Sequence, residues 1–230
     1  SLFILVYCIT ASATFAGQKS GFEQFRDRLP WIWQSPRQVE PPTVKDSVWP
    51  ADAVDRFVLR KLEAEKLKPA GPANDRVWMR RVYFAITGLP PKPKDIQAFL
   101  DDTSGNRKRT LVRALLDSPH YGERWARHWM DLVRYAESRG HEGDSILPNA
   151  YRYRDYLVRA FNADLPYDAL VTEHLAGDLL ENPRLHPETG ANESILATGW
   201  PFFGELNHAP VNLRKDECEQ LDNKVDVMSK

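Results

Sequence analysis

Cysteine is the scarcest chemically useful residue in this 230-residue chain: Cys8 and Cys218 are the only two. No Cys-x-x-Cys can be written from them, so the chain itself contains no covalent haem-attachment motif and no thiolate zinc knuckle. The six histidines (His120, His128, His141, His174, His186 and His208) form no HExxH and no other paired-histidine spacing. A metal centre would therefore need long-range assembly, and no metal site is assigned. HEGD and SGN are isolated loop glycines with no preceding strand and no following Lys-Ser/Thr, so no phosphate loop is present. No GxSxG occurs, and no serine can be assigned as a nucleophile. Charge of one sign is lacking too: 31 Lys plus Arg face 32 Asp plus Glu, a net charge of -1. That balance removes the electrostatic case for nucleic acid or an anionic membrane surface as partner. Alternating strand patterns and internal repeats are also absent, and no apolar run is long enough for a stable membrane span.

What is present suffices for one sizeable core: 42% of residues are hydrophobic and 27% charged. The first 16 residues, SLFILVYCITASATFA, read as the apolar region and small-residue cleavage site of a secretory signal peptide that begins part-way through. The alternative is a buried N-terminal strand. Tyr7 before Cys8 makes a poor lipobox. Cleavage would leave Cys218 alone, and an unpaired thiol in an exported protein is expected to be buried.

Residues 17–49, rich in Pro, Gln and Trp, read as an extended arm or linker anchored by Trp31, Trp33 and Trp49. Residues 50–230 read as a helical domain. Pro50 opens a helix carrying Val54, Phe57, Val58, Leu62 and Leu67, and further helices are expected over 75–87, 92–101, 106–117, 150–162, 167–175 and 188–198. A final helix carries Leu213, Leu221, Val225 and Met228 and lacks a C-cap, which suggests that the natural sequence continues. The fold class is all-α, an irregular multi-helix domain with long Pro/Gly-containing loops.

The densest stretch, SPHYGERWARHWMDLVRYAESRG at residues 118–140, predicts one helix of about six turns. Its Tyr121, Trp125, His128, Trp129, Leu132, Val133 and Ala136 fall on one face, the expected core stripe. Glu123–Arg127, Arg127–Asp131 and Asp131–Arg134 have the spacing of a solvated charge ladder. Packing does not need the stripe Arg124, His128, Asp131 and Tyr135, in which Asp131 could orient His128 as a base or ligand. A histidine satisfied at the core edge is the structural alternative. In AYRYRDYLVRAFN, residues 150–162, Tyr153, Leu157, Ala160 and Phe161 suit the core, and Asp155–Arg159 an ion pair. The remaining Arg and Tyr residues suit either a snorkelling charged face or a sulfated or carboxylated glycan.

Five blocks, AVDRFVLRKLEAEKLKPA, RRVYFAITGLPPKPKDIQAFL, LLDSPHYGERWARHWMDLVRYAES, NAYRYRDYLVRAFNADLPYDALVTEHLAGDLL and RKDECEQLDNKVDVMSK, occur in that order. Together they resemble the planctomycete cytochrome-c-like domain of the second type, long catalogued as a domain of unknown function. The resemblance covers about residues 30–230. It implies a secreted, periplasmic or cell-surface bacterial protein with downstream domains, and a Cys-x-x-Cys-His block soon after the segment matching 226–230. This sequence ends before such a block, so haem c is implied only for a longer parent that carries it. His120, Glu123, Arg124, His128, Asp131 and Arg134 match the motif and are the candidate site.

Three functions stay open at this point. The first is the helical body of a redox domain with its own redox partner. The second is a glycan-binding accessory module using Tyr151, Arg152, Arg154 and Trp125. The third is a metal-dependent hydrolase.

Overall fold

The computed structural model describes residues 25, 28–30, 34, 36–140, 143–204 and 209–229. The expected signal peptide with Cys8, the anchors Trp31 and Trp33, and His141 and His208 lie outside them. The described residues contain helices and no strand, only the isolated bridges Ser138–Ile146 and Leu185–Asn192. The all-α class stands. The chain divides into two compact units, residues 1–71 and 72–230.

In the first unit, α1 spans Ala53–Ala64. Pro50 precedes the helix; Asp52 caps it by accepting the Asp55 N–H at 3.0 Å. Leu59 is its buried residue, whereas Val54, Phe57, Val58 and Leu67 of the expected stripe are exposed. Glu63 Oε1 accepts the N–H groups of Lys45 and Asp46 at 2.8 and 3.2 Å, tying the extended segment to the helix.

The second unit begins with α2 (Asp75–Ile86), α3 (Pro93–Asp101) and α4 (Arg107–Leu116). Trp78 stacks on Phe99 at 5.7 Å, and Met79, Phe99 and Leu115 are buried. Its larger core joins α5 (Pro119–Leu132), α6 (Ala150–Asn162), α7 (Tyr167–Ala176), the short α8 (Ser194–Ala197), a 3-10 turn at Trp200–Phe202, and α9 (Leu213–Ser229). The expected helix over 188–198 shrinks to α8. His186 Nδ1 accepts the N–H groups of Glu188 and Thr189, and Gly190 at φ +66° turns the chain there. Along α9, Leu213, Leu221, Val225 and Met228 are exposed, and Val227 packs against the core.

Helix α5 departs from the expectation in two ways. It ends at Leu132: Arg134 takes a left-handed φ of 58°, and the Tyr135 N–H turns back to Met130 O at 2.9 Å, a Schellman closure. Its buried face is also different. Gly122, Ala126 and Met130 are buried, with Val133 just beyond the helix, whereas Trp125, His128 and Leu132 are exposed. The cause is close approach of α6. A Cβ on Gly122 would lie 2.3 Å from Val158 O, so the smallest side chains face the neighbouring helix. The bulky aromatics are turned aside. Asn162 clamps the antiparallel pair, accepting the Gly122 N–H at 2.8 Å and donating to Pro119 O at 3.2 Å.

Candidate functional site

Helix α7 carries two adjacent buried titratable residues, Glu173 and His174, which periodicity did not single out. His174 donates from Nδ1 to Leu170 O at 2.7 Å, one turn back on the helix. Its Nε2 lone pair then faces two donors, Trp129 Nε1–H at 3.0 Å and the Tyr153 hydroxyl at 2.8 Å. Burial pushes the His174 pKa down, outweighing the Leu170 carbonyl and the nearby Glu173 charge. The ring is neutral. Burial likewise pushes the Tyr153 phenol far up, so its proton stays in place.

Glu173 faces the other way. It accepts from the Tyr156 hydroxyl at 2.6 Å, the Ser194 hydroxyl at 2.7 Å and Arg184 Nη2 at 3.1 Å. Burial works against its charge, but the bonds from Arg184, Tyr156 and Ser194 overcome it and hold the carboxyl below the usual range. Arg184 continues to the fully buried Glu193 at 3.5 Å, and Arg159 bonds the other oxygen of that carboxylate. The alternating chain Arg159–Glu193–Arg184–Glu173 joins α6, α7, α8 and the intervening loop.

Beside His174 opens a groove of about 310 Å³. Trp129 and Leu132 of α5, Tyr167, Val171 and Leu175 of α7, Trp200, and Val227 with Met228 of α9 form its walls. The tryptophan and tyrosine rings are 6.3 Å apart and nearly perpendicular. An apolar cavity with a few convergent polar groups is the usual form of a ligand site.

A family model described as PSCyt2, protein of unknown function (DUF1549), matches residues 53–230. The chain belongs to this family. No curated protein and no solved structure matches it. The match spans the groove, the buried network and every candidate site residue, and the PSCyt2 description assigns no activity to any of them.

The PSCyt2 residues named from the sequence are distributed over several places. His120 and Glu123 pair with each other at 2.8 Å on the exposed first turn of α5. Arg124 is half-buried beneath Gly88, its Nε enclosed without a hydrogen bond. His128 lies exposed against the Trp125 ring at 5.3 Å, and Asp131 pairs with Arg127 at 3.3 Å, not with His128. Arg134, beyond the helix end, reaches α9 and donates to Asn223 and Asp226 at 2.8 and 2.7 Å.

Of the four glycan candidates, Tyr151 and Arg152 share a cavity. Arg154 is held by Glu137 and Asp155, and Trp125 packs on Tyr121 and His128. The expected burial of Cys218 is overturned: it is exposed on α9, whose inward contact is made by Val227.

Among the described residues no group of three or more His, Cys, Asp or Glu side chains could hold a metal ion. For haem, the groove fits as an apolar, aromatic wall. His174, the histidine in its lining, has both nitrogens engaged, which leaves the Met228 thioether as the lining group able to ligate iron. A Cys-x-x-Cys-His block brings its own proximal histidine, so the two requirements are compatible.

Proposed function

We propose that the chain is the helical body of an exported redox domain, with the groove between α5, α7 and α9 as the seat of haem c. The carrying observation is that Val227 and Met228, in the last turn of α9, share one wall system with Trp129, Tyr167 and Trp200. The resemblance read from the sequence implies a haem-attachment block soon after that segment. Haem c, when bound, supplies one-electron transfer to a redox partner.

The chain's own residues have defined tasks in this reading. Trp129, Val171, Leu175 and Trp200 would shield one face of the bound group from water, and a dry apolar shell tunes a cofactor's potential. His174, neutral and capped on both nitrogens, adds neither charge nor ligand to the groove floor. Arg134 fixes α9 against the end of α5 through Asn223 and Asp226.

The test uses the full-length parent protein, secreted into a periplasm with cytochrome c maturation machinery. A c-type α-band in the reduced-minus-oxidised spectrum, with haem retained through denaturing electrophoresis, is expected. Val171→Asp should shift the midpoint potential. A colourless mature protein overturns the redox reading. Amino-terminal sequencing of the secreted product tests export: a new terminus just after Ala13 or Ala16 is expected, and retention of residues 1–16 removes the signal-peptide assignment.

A further inference from the structure

The second cavity, of about 430 Å³, lies where α6 meets the loop before α8. Tyr151, Arg152, Arg159, His186, Asn192 and Glu193 are among its lining residues. Tyr151 and Arg152 occupy the first turn of α6 and are exposed. Arg152 is paired with no carboxylate among the described residues, unlike Arg154, Arg159 and Arg184 around it.

Several groups here are arranged as donors. His186 accepts two backbone N–H groups on Nδ1, which leaves Nε2 as its N–H. Asn192 Oδ1 accepts the Ile195 N–H at 3.1 Å, which leaves its amide nitrogen to donate. Arg159 spends Nε on Glu193 and retains its terminal nitrogens. Acceptors are present as well, in Asp155 and the Tyr151 hydroxyl.

We propose that this cavity binds a saccharide carrying a single acidic group per sugar ring. Arg152 takes the acid, the exposed Tyr151 ring stacks on the sugar face, and His186 and Asn192 donate to ring oxygens and hydroxyls. One uncompensated guanidinium suits one anionic group. A polyphosphate would meet the carboxylates of Asp155 and Glu193 with only Arg152 free to answer it. The proposal is independent of the groove and of any haem.

The test is titration calorimetry on the whole chain with trigalacturonate as probe, a sulfated disaccharide as second arm and maltotriose as neutral control. Saturable binding of an acidic probe is expected, weakened at least tenfold by Arg152→Glu and by Tyr151→Ala and reduced by salt. Preference between the first two arms tells carboxylate from sulfate. Both positions are exposed, so unchanged thermal unfolding of the variants should separate lost contact from lost fold. No binding by either acidic probe, equal binding of maltotriose, or affinity indifferent to both substitutions overturns the proposal.

Discussion

Replacing Gly122 by alanine should destabilise the second unit, although the same change in an open helix is favourable by about 1 kcal/mol. The new Cβ would stand 2.3 Å from Val158 O and 2.6 Å from both Cγ and Oδ1 of Asn162. Ordinary contact begins near 3.4 Å, so α5 and α6 must separate by roughly 1 Å or Asn162 must leave. Overpacking of this kind costs about 1–3 kcal/mol. Loss of the Asn162 bond to the Gly122 N–H, 2.8 Å in the native protein, adds about 1 kcal/mol. Set against the propensity gain, the net loss is about 1–3 kcal/mol, or a melting temperature lower by several degrees at about 2–4 °C per kcal/mol. The assay is urea and thermal unfolding followed by far-UV circular dichroism. Gly105→Ala is the control: nothing lies within 4 Å of the added atom, and its effect should stay within about 0.5 kcal/mol. A Gly122→Ala protein as stable as the native one would falsify the close-packing argument.

Glu173→Ala strips Arg184, Tyr156 and Ser194 of their common acceptor and should cost about 3–5 kcal/mol in urea unfolding, the range for a broken buried ion pair. Glu173→Gln keeps an acceptor oxygen and should cost less; equal, small losses would mean that the network contributes little. Stability should fall with acidification through the ordinary histidine range. His174 is held neutral with a lowered pKa, so below its ordinary value the unfolded chain binds a proton that the folded chain resists. Glu173, also lowered, extends the loss at more acidic pH. The melting temperature should drop between pH 7 and pH 5, and His174→Gln should flatten that slope even though it lowers the starting value; an unchanged slope removes His174 as the cause. Cys218 should be alkylated in the native protein as readily as in the unfolded one, checked by mass spectrometry of its peptide; protection would contradict its exposure.

Helix positions were largely legible in the sequence because start signals are local. Asp52, Asn74 and Ser118 each accept an N–H of the first turn, and Pro93 and Pro119 sit where the missing N–H costs nothing. Some ends were not legible. α1, α5 and α6 are followed by Lys66, Arg134 and Asp164 at φ 58°, 58° and 50°, positions where glycine is the usual signal. Reading through Arg134 extended α5 by more than a turn and put Tyr135 on a stripe with His128 that the backbone does not make. The buried face of α5 was misread for a second reason. Apolar mass marks tryptophan as core, but helices that approach closely bury glycine and alanine and push rings aside. Glu173 and Arg184 are distant enough in sequence that no spacing rule joins them. The available clue was an acidic residue beside a histidine within an otherwise apolar helix, YDALVTEHLA.

That helix explains how the network and the groove belong together. α7 has apolar residues on every side, so burial alone does not choose its rotation about its own axis. Two polar attachments choose it. Glu173 must face Arg184 and Ser194, and His174, about 100° further round, must face Trp129 and Tyr153. With both satisfied, Tyr167, Val171 and Leu175, spaced four apart, line the groove as a third stripe. A rotation that buried this stripe would strand a carboxylate, at about 3–5 kcal/mol, and break two bonds to the imidazole at about 1 kcal/mol each, losses that together outweigh the gain from covering the exposed parts of Tyr167 and Leu175. The groove therefore stays open because the polar network holds α7 in this rotation, at the expense of leaving Tyr167 and Leu175 exposed to solvent.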